Sequence, residues 1–210
     1  MHYEEILDKL KSLSSLENVA GMARFGINPE KTYGVSIPTL QTMAKKIGRS
    51  HNLASQLRNS GIHEARILAS LIDNPKEVTE EQMELWVKDF NSWDVCDQCI
   101  ANLFGKTGFA YQKAIEWSSR EQEFVKRAGF VLMIRLVHSS QKISVSQVAE
   151  LLSIIKREAR DDRNFVKKAI NWALRHIGKP DFQLNKLALA TAKEIQKLES
   201  QSARWIGLTR

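Results

Sequence analysis

The sequence predicts an all-α chain, and three observations carry that prediction. Only four prolines and ten glycines punctuate the 210 residues, too few for the many turns of an all-β domain, and no stretch alternates apolar and polar residues as a half-buried strand does. Apolar residues instead recur at three- and four-residue spacing, as in Met83, Val87 and Phe90 or in Val148, Leu151, Leu152 and Ile155, which lays them along one stripe of a helix. One helical segment is also repeated. FVKRAGFVLMIR (Phe124 to Arg135) aligns with FVKKAINWALRH (Phe165 to His176), 41 residues further on, with Phe, Val, Lys, a second cation and Ala in register.

Taken in chain order, Gly48 marks a first helix stop. HEARILASLI (His63 to Ile72) is a looser echo of the repeated segment, closed by the turn signal Asp73-Asn74-Pro75. Thr79 and Gln82 stand at capping-box spacing and open the helix that holds Met83, Val87 and Phe90. Ser92 is placed to cap a helix beginning at Trp93, with Asp94 as the alternative cap. The helix would run through a second echo, WDVCDQCIANLF (Trp93 to Phe104), to a stop at Gly105. Ser119 with Gln122 is expected to start the first full copy, and Ser144 with Gln147 the stripe that ends at Ile155. Gly178, followed by Pro180, ends the second copy. Paired helices repeating every ~30–47 residues signify an α-solenoid of antiparallel helix pairs, of the HEAT or armadillo type. The expected architecture is one such domain over residues 1–210. Each pair would place one helix on a concave surface, and the cations at the start of the repeated helix would make that surface a concave basic groove.

Charge agrees with such a groove. Lys and Arg number 31 against 24 Asp and Glu, a formal charge of +7, which favours a polyanionic partner. The densest cations are Lys156, Arg157, Arg160, Arg163, Lys167, Lys168, Arg175 and Lys179, opposed by Glu158, Asp161 and Asp162. Helix N-termini add free N–H groups suited to phosphate oxygens. With 43% hydrophobic and 26% charged residues, the chain has the composition of a folded soluble protein. The apolar run Gly129 to Ile134 is bounded by Arg127 and Arg135, far short of the ~20 residues that span a bilayer. Glu4 and Glu5 stand where a signal peptide carries positive charge, and the two cysteines build no disulfide framework. The expectation is a cytoplasmic protein with no membrane partner.

Within SWDVCD (Ser92 to Asp97), Trp93 and Asp97 fall at i and i+4 on one helix face, an aromatic plane beside a carboxylate. Read singly, Trp93 is an ordinary core aromatic and Asp97 a surface acid. As a pair in a cationic groove they suggest work on a developing positive charge, because a protein that only held a polyanion would do better without the acid. Cys96 and Cys99 form a CxxC, but the five histidines are scattered singly, so no metal is expected and the thiols read as small core residues. No nucleophile–base set and no Gly-rich phosphate loop is present.

YGV…P (Tyr33 to Pro38), SGIHEARILA (Ser60 to Ala69), SWDVCDQ (Ser92 to Gln98), EFVKRAGFVL (Glu123 to Leu132), RNFVKKAINWALRHIGK (Arg163 to Lys179) and the terminal RWIG together resemble the DNA alkylation repair enzyme family, the AlkD-like HEAT-repeat alkylpurine DNA glycosylases. The resemblance spans nearly the whole chain. It implies that Trp93, Asp97, Arg127 and Trp172 form the catalytic set, with Arg66, Lys126, Arg163, Lys167, Lys168, Arg175 and Lys179 on the DNA backbone. It implies excision of N3- or N7-alkylated purines from duplex DNA by a monomer without a cofactor and without a dedicated base pocket. An alkylated purine is already cationic and leaves readily, through an oxocarbenium-like sugar. Asp97 would stabilise that sugar and orient water, Trp93 and Trp172 would hold sugar and lesion, and Arg127 would grip a phosphate. Ser92 departs from the doubled tryptophan common in the family, and the segment before Tyr33 looks short. Two other functions fit the same sequence: a non-catalytic HEAT-like protein that binds bent or branched DNA, and a peptide-binding solenoid.

Overall fold

A computed structural model describes residues 1–139 and 143–208. Among these are thirteen α-helices, one 3-10 turn and no strand, in two compact units, residues 1–107 and 108–210.

The first unit holds α1 (Tyr3–Ser12), α2 (Leu16–Arg24), α3 (Ile37–Ile47), α4 (His51–Asn59), α5 (His63–Ile72), α6 (Glu80–Lys88), α7 (Trp93–Asn102) and the 3-10 turn Phe104–Lys106. Its axis is α5, packed on α4 and flanked by α3 and α7; every residue of α5 but Leu71 is buried. Serine and threonine hydroxyls begin the outer helices: Ser36, Ser50 and Thr79 accept from the N–H groups of Thr39, Leu53 and Gln82, each cap worth about 1 kcal/mol. Gly48 ends α3 with φ +80°, as expected. Gly105 instead lies inside the 3-10 turn, because α7 has already ended at Asn102.

Two buried charges organise this unit. Glu64 on α5, fully buried, accepts from the backbone N–H groups of Tyr33, Gly34 and Val35 at 3.0, 2.6 and 3.2 Å, pinning the segment that links α2 to α3. That segment passes so close to α2 that a Cβ on Gly34 would stand 2.6 Å from the Ser15 carbonyl oxygen, and φ at Gly34 is +76°; both require glycine. Arg58 on α4 is held between the rings of Trp86 and Phe90, 5.2 and 5.4 Å from their centroids, and donates to the Trp86 carbonyl at 2.6 Å. Burial and the neighbouring Arg66 lower its pKa to about 10, so it stays charged at neutral pH.

The second unit holds α8 (Ala110–Ser118), α9 (Glu123–Val137), α10 (Val145–Glu158), α11 (Asn164–Ile177), α12 (Phe182–Gln196) and α13 (Gln201–Gly207). The repeated segments form α9 and α11, which pack side by side, while α8 packs on α9 and α10 bridges α11 and α12. The repeat is in register in space as well as in sequence: Phe124 and Phe165 meet ring to ring at 5.4 Å. Ser144 and Gln147 form the expected capping box of α10. Ser119 does not start α9. It is the C-cap of α8, and Gln122 is the N-cap of α9, so the spacing matched by coincidence at the end of a helix.

Candidate nucleic-acid interface

In the first unit Ser92 is the N-cap residue of α7, and its side chain makes no cap hydrogen bond. Asp94, the first-turn acid, accepts from the Val95 N–H at 2.9 Å and meets His63 Nε2 on α5 at 2.8 Å. Burial works to raise the Asp94 pKa, but the hydrogen bond and charge of His63 and the Val95 N–H outweigh it and hold it below the ordinary carboxylate range. Asp94 is turned inward, while Trp93 and Asp97, at i and i+4 on α7, are both half-buried. Trp93 is fixed in place: its indole N–H donates to the Phe25 carbonyl at 3.1 Å, tying α7 to the end of α2. Cys96 and Cys99 are buried and in no disulfide, and burial pushes the Cys99 thiol up to about 12. Among the described residues no group of three His, Cys, Asp or Glu side chains could hold a metal. No described helix is long and apolar enough to cross a membrane.

Three of the expected cations prove to serve the fold. Arg66 is buried on α5 and donates to the Asn91 side chain at 2.7 Å and to the Asp89 carbonyl. Lys126 is buried on α9 with Nζ 2.7 Å from Glu158 and 3.1 Å from Asp161. Arg127 is buried, and Nη1 donates to the Phe165 carbonyl at 2.7 Å, joining α9 to α11. The reason is common to all three: each sits on a helix flanked on both sides by others, so its charge reaches protein acceptors before solvent. Arg163, the N-cap residue of α11, is half-buried and paired with Asp161 at 2.5 Å; Lys156 and Arg157 pair with Glu194 and Glu158.

The remaining expected cations lie on α11 and just beyond its end. Lys168, Trp172 and Arg175 on α11, and Lys179 just past its C-cap, recur at three- and four-residue spacing and are all exposed; the helix has no acidic residue. Trp172, 38% exposed, meets His176 edge to face at 5.7 Å. His176 Nδ1 lies 2.9 Å from His138 Nε2, and its Nε2 lies 3.1 Å from Lys179 Nζ. Beside this face α13 is anchored by Asn171, which donates to the Ile206 carbonyl at 2.9 Å. Lys167 there lies 6.0 Å from the centroid of Trp205, itself 44% exposed. Helices α11 and α13, with the residue that follows α11, thus carry two exposed indoles and the cations Lys167, Lys168, Arg175, Lys179 and Arg204, none ion-paired among the described residues. Sequence reasoning missed Trp205, Arg204 and the histidine pair. RWIG was visible as a motif, but only packing of α13 on α11 brings it beside Lys167.

Indoles interleaved with unpaired cations suit a sugar–phosphate chain: the cations meet phosphates and the rings stack on sugars or bases. The half-buried Trp93–Asp97 pair offers aromatic and anionic surface, the combination that favours a cation.

The chain is 25% identical over 169 residues to an uncharacterized protein of Listeria innocua and 24% identical to one of Listeria monocytogenes, each match covering 79% of this chain and 73% of the relative. Its fold matches, with a TM-score of 0.84 and 21% identity over 98% of this chain and 92% of the other, a solved structure from a new family of proteins related to the HEAT-like repeat DNA glycosylases with affinity for branched DNA structures. The fold is therefore that of the HEAT-like repeat proteins. The model of the DNA alkylation repair enzyme family matches residues 6–204, nearly the whole chain, and the protein belongs to that family.

Proposed function

We propose that the protein binds DNA through the exposed α11–α13 face and excises positively charged N3- or N7-alkylated purines from it. The observation that carries the reading is the contrast within the cations: those on α9 are buried or paired to protein, whereas those around Trp172 and Trp205 have no carboxylate partner among the described residues. Phosphates would supply it.

For excision, Asp97 stabilises the sugar cation that develops as the glycosidic bond breaks and orients the attacking water. The lesion needs little general-acid help because the departing base already carries the positive charge. Trp93, fixed through Phe25, sets the aromatic wall beside it. The buried Arg127 acts as a positioning residue for the start of α11, and the phosphate contacts pass to Lys168, Arg175 and Lys179.

Release of free base from duplex DNA carrying 7-methylguanine or 3-methyladenine tests the reading. Wild type releases base, and Asp97→Asn lowers the rate by at least ~10²-fold while binding changes little. Absence of release by wild type removes the enzymatic half. The buried Arg66, Lys126 and Arg127 favour a second reading, a branched-DNA binder without catalysis, since the cations assigned to grip the damaged strand face inward. It predicts tighter binding to a four-way junction than to a linear duplex, with no base released. For either reading, Lys168→Gln with Arg175→Gln weakens DNA binding and reduces the salt-dependence slope by about 2, one per lost phosphate contact.

A further inference from the structure

Helix α12 carries a solvent-facing stripe that DNA binding and base excision leave unused. Phe182, Lys186, Leu189 and Lys193 follow one another at spacings of four, three and four residues, so they lie along one line of the helix. All four are exposed; Phe182 is 81% and Leu189 47% open to solvent, far more than apolar side chains of that size need be. The opposite side of α12 buries Ala188, Ala192 and Ile195. Beside Leu189 a groove of about 160 Å³ opens between α11 and α12, with the buried Leu174 and Ala188 in its floor and Arg175 and Lys179 on its α11 side. Cations therefore surround apolar surface, Arg175 and Lys179 across the groove and Lys186 and Lys193 along the helix. The nearby acids are already engaged. Asp181 accepts from the Leu184 N–H at 2.9 Å as the N-cap residue of α12, and Glu194 meets Lys156 at 2.6 Å. No described carboxylate is ion-paired with any of the four cations.

We propose that this groove and stripe dock an acidic segment of a partner protein, one that carries apolar anchor residues between its carboxylates. One anchor enters the groove beside Leu189, a second covers Phe182, and the carboxylates meet Arg175, Lys179, Lys186 and Lys193. Charge complementarity selects this occupant over the others. A nucleic acid supplies the anions, but Leu174, Ala188 and Leu189 offer its bases no ring to stack on. A lipid surface favours a continuous apolar face with cations at its margins, whereas here the lysines interrupt the apolar line. A second copy packed symmetrically on the same stripe sets Lys186 and Lys193 against like charge. The proposal does not rest on DNA binding or on base excision. It does share Arg175 and Lys179 with the DNA face, so an acidic partner seated here withdraws two cations from phosphate.

The test titrates the full-length protein into a fluorescein-labelled peptide, Glu-Asp-Glu-Leu-Glu-Asp-Phe-Glu-Asp, and follows anisotropy. A control peptide replaces its Leu and Phe with Ala. The anchored peptide should bind with a Kd below ~1 mM, and the control at least about tenfold more weakly, because it buries no anchor. Phe182→Ser and Leu189→Ser should each weaken the anchored peptide about tenfold, and Lys186→Glu with Lys193→Glu should remove binding through like-charge repulsion. All four positions are exposed, so melting temperatures should match wild type, and Phe182→Ser should leave affinity for duplex DNA as it was. Three results overturn the proposal: no binding of the anchored peptide up to ~1 mM, equal binding of the alanine control, or binding indifferent to Phe182→Ser and Leu189→Ser. Cosedimentation with phosphatidylglycerol vesicles and sedimentation velocity of the protein alone cover the other occupants. Vesicle binding or self-association that Phe182→Ser abolishes, in a protein that ignores the peptide, assigns the stripe to lipid or to a second copy and likewise overturns it.

Discussion

Replacing Glu64 with alanine removes the carboxylate that holds the segment from Tyr33 to Val35. The side chain is fully buried and receives three backbone N–H groups, so truncation leaves three donors without their acceptor. Gly34 and Val35 are themselves buried and cannot turn to bulk water. A buried donor left unsatisfied costs ~1–3 kcal/mol, and the half-buried Tyr33 recovers part of its share from solvent. The loss is therefore about 3–5 kcal/mol. At about 2–4 °C per kcal/mol for a chain of this size, the melting temperature falls by roughly 6–20 °C. Glu64→Gln keeps one acceptor oxygen and should lose less than half as much. Differential scanning calorimetry of both variants checks the ranking. Because the Gly34 and Val35 N–H groups donate to this carboxylate, their hydrogen exchange should accelerate in both variants, more in alanine. A Glu64→Ala protein melting within a degree of wild type would refute the claim that this carboxylate fastens the segment.

Gly129→Ala in α9 should destabilise despite the better helix propensity of alanine, because the added Cβ would lie 2.8 Å from Ser118 Cα on the neighbouring α8. Forced separation of the pair costs about 2 kcal/mol net, read as a drop of roughly 4–8 °C in melting temperature; an unchanged melt would show that the two helices can part freely. The His138–His176 pair predicts a pH effect. Burial first, then Lys179 and the nearby Arg135 and Arg175, hold both imidazoles below their ordinary value. The unfolded chain therefore takes up protons first as pH falls through ~6.5, and stability is lost from there downward. Thermal melts between pH 7.5 and 5 should decline for wild type and flatten for His138→Gln with His176→Gln. The depressed carboxylates of Asp94, Glu158 and Asp161 withdraw their stabilisation only below ~4, in a separate window. Parallel curves for wild type and the double variant would remove the pair as the cause.

Helix ends were legible where a few adjacent side chains decide them. Ser144 and Gln147 satisfy each other's backbone groups within one turn, so the sequence contains the whole interaction. Ser119 shows the limit, since the same spacing occurs where α8 ends and only the surrounding backbone shows which helix claims it. The repeat was legible because Phe124 and Phe165 perform the same packing job in successive pairs. The cations were only half legible. Lys126 and Lys167 share one motif position, yet Lys126 is held by Glu158 and Asp161, acids 32 and 35 residues away, while Lys167 lies beside Trp205. A local motif does not state what stands across from it. The tie between α2 and α7 was invisible for a stronger form of the same reason. Its two sides meet only on folding, as the bond from Trp93 to Phe25 across 68 residues shows.

The acids of the second unit sharpen its surface rather than dilute it. Glu158 and Asp161 gather Lys126, Arg157 and Arg163, and Glu194 takes Lys156, so these carboxylates are occupied by cations of α9, α10 and the start of α11. Had they instead stood on the exposed face of α11, they would neutralise Lys168 and Arg175 and repel phosphate. The sequence supplies a net charge of +7, but net charge alone specifies no binding surface. Pairing of Glu158, Asp161 and Glu194 with other cations leaves the positive charge concentrated around Trp172 and Trp205. A polyanion that bound through charge alone would need no indoles there, and a peptide that bound through the indoles alone would need no cations. A chain bearing both phosphates and flat rings uses the two together.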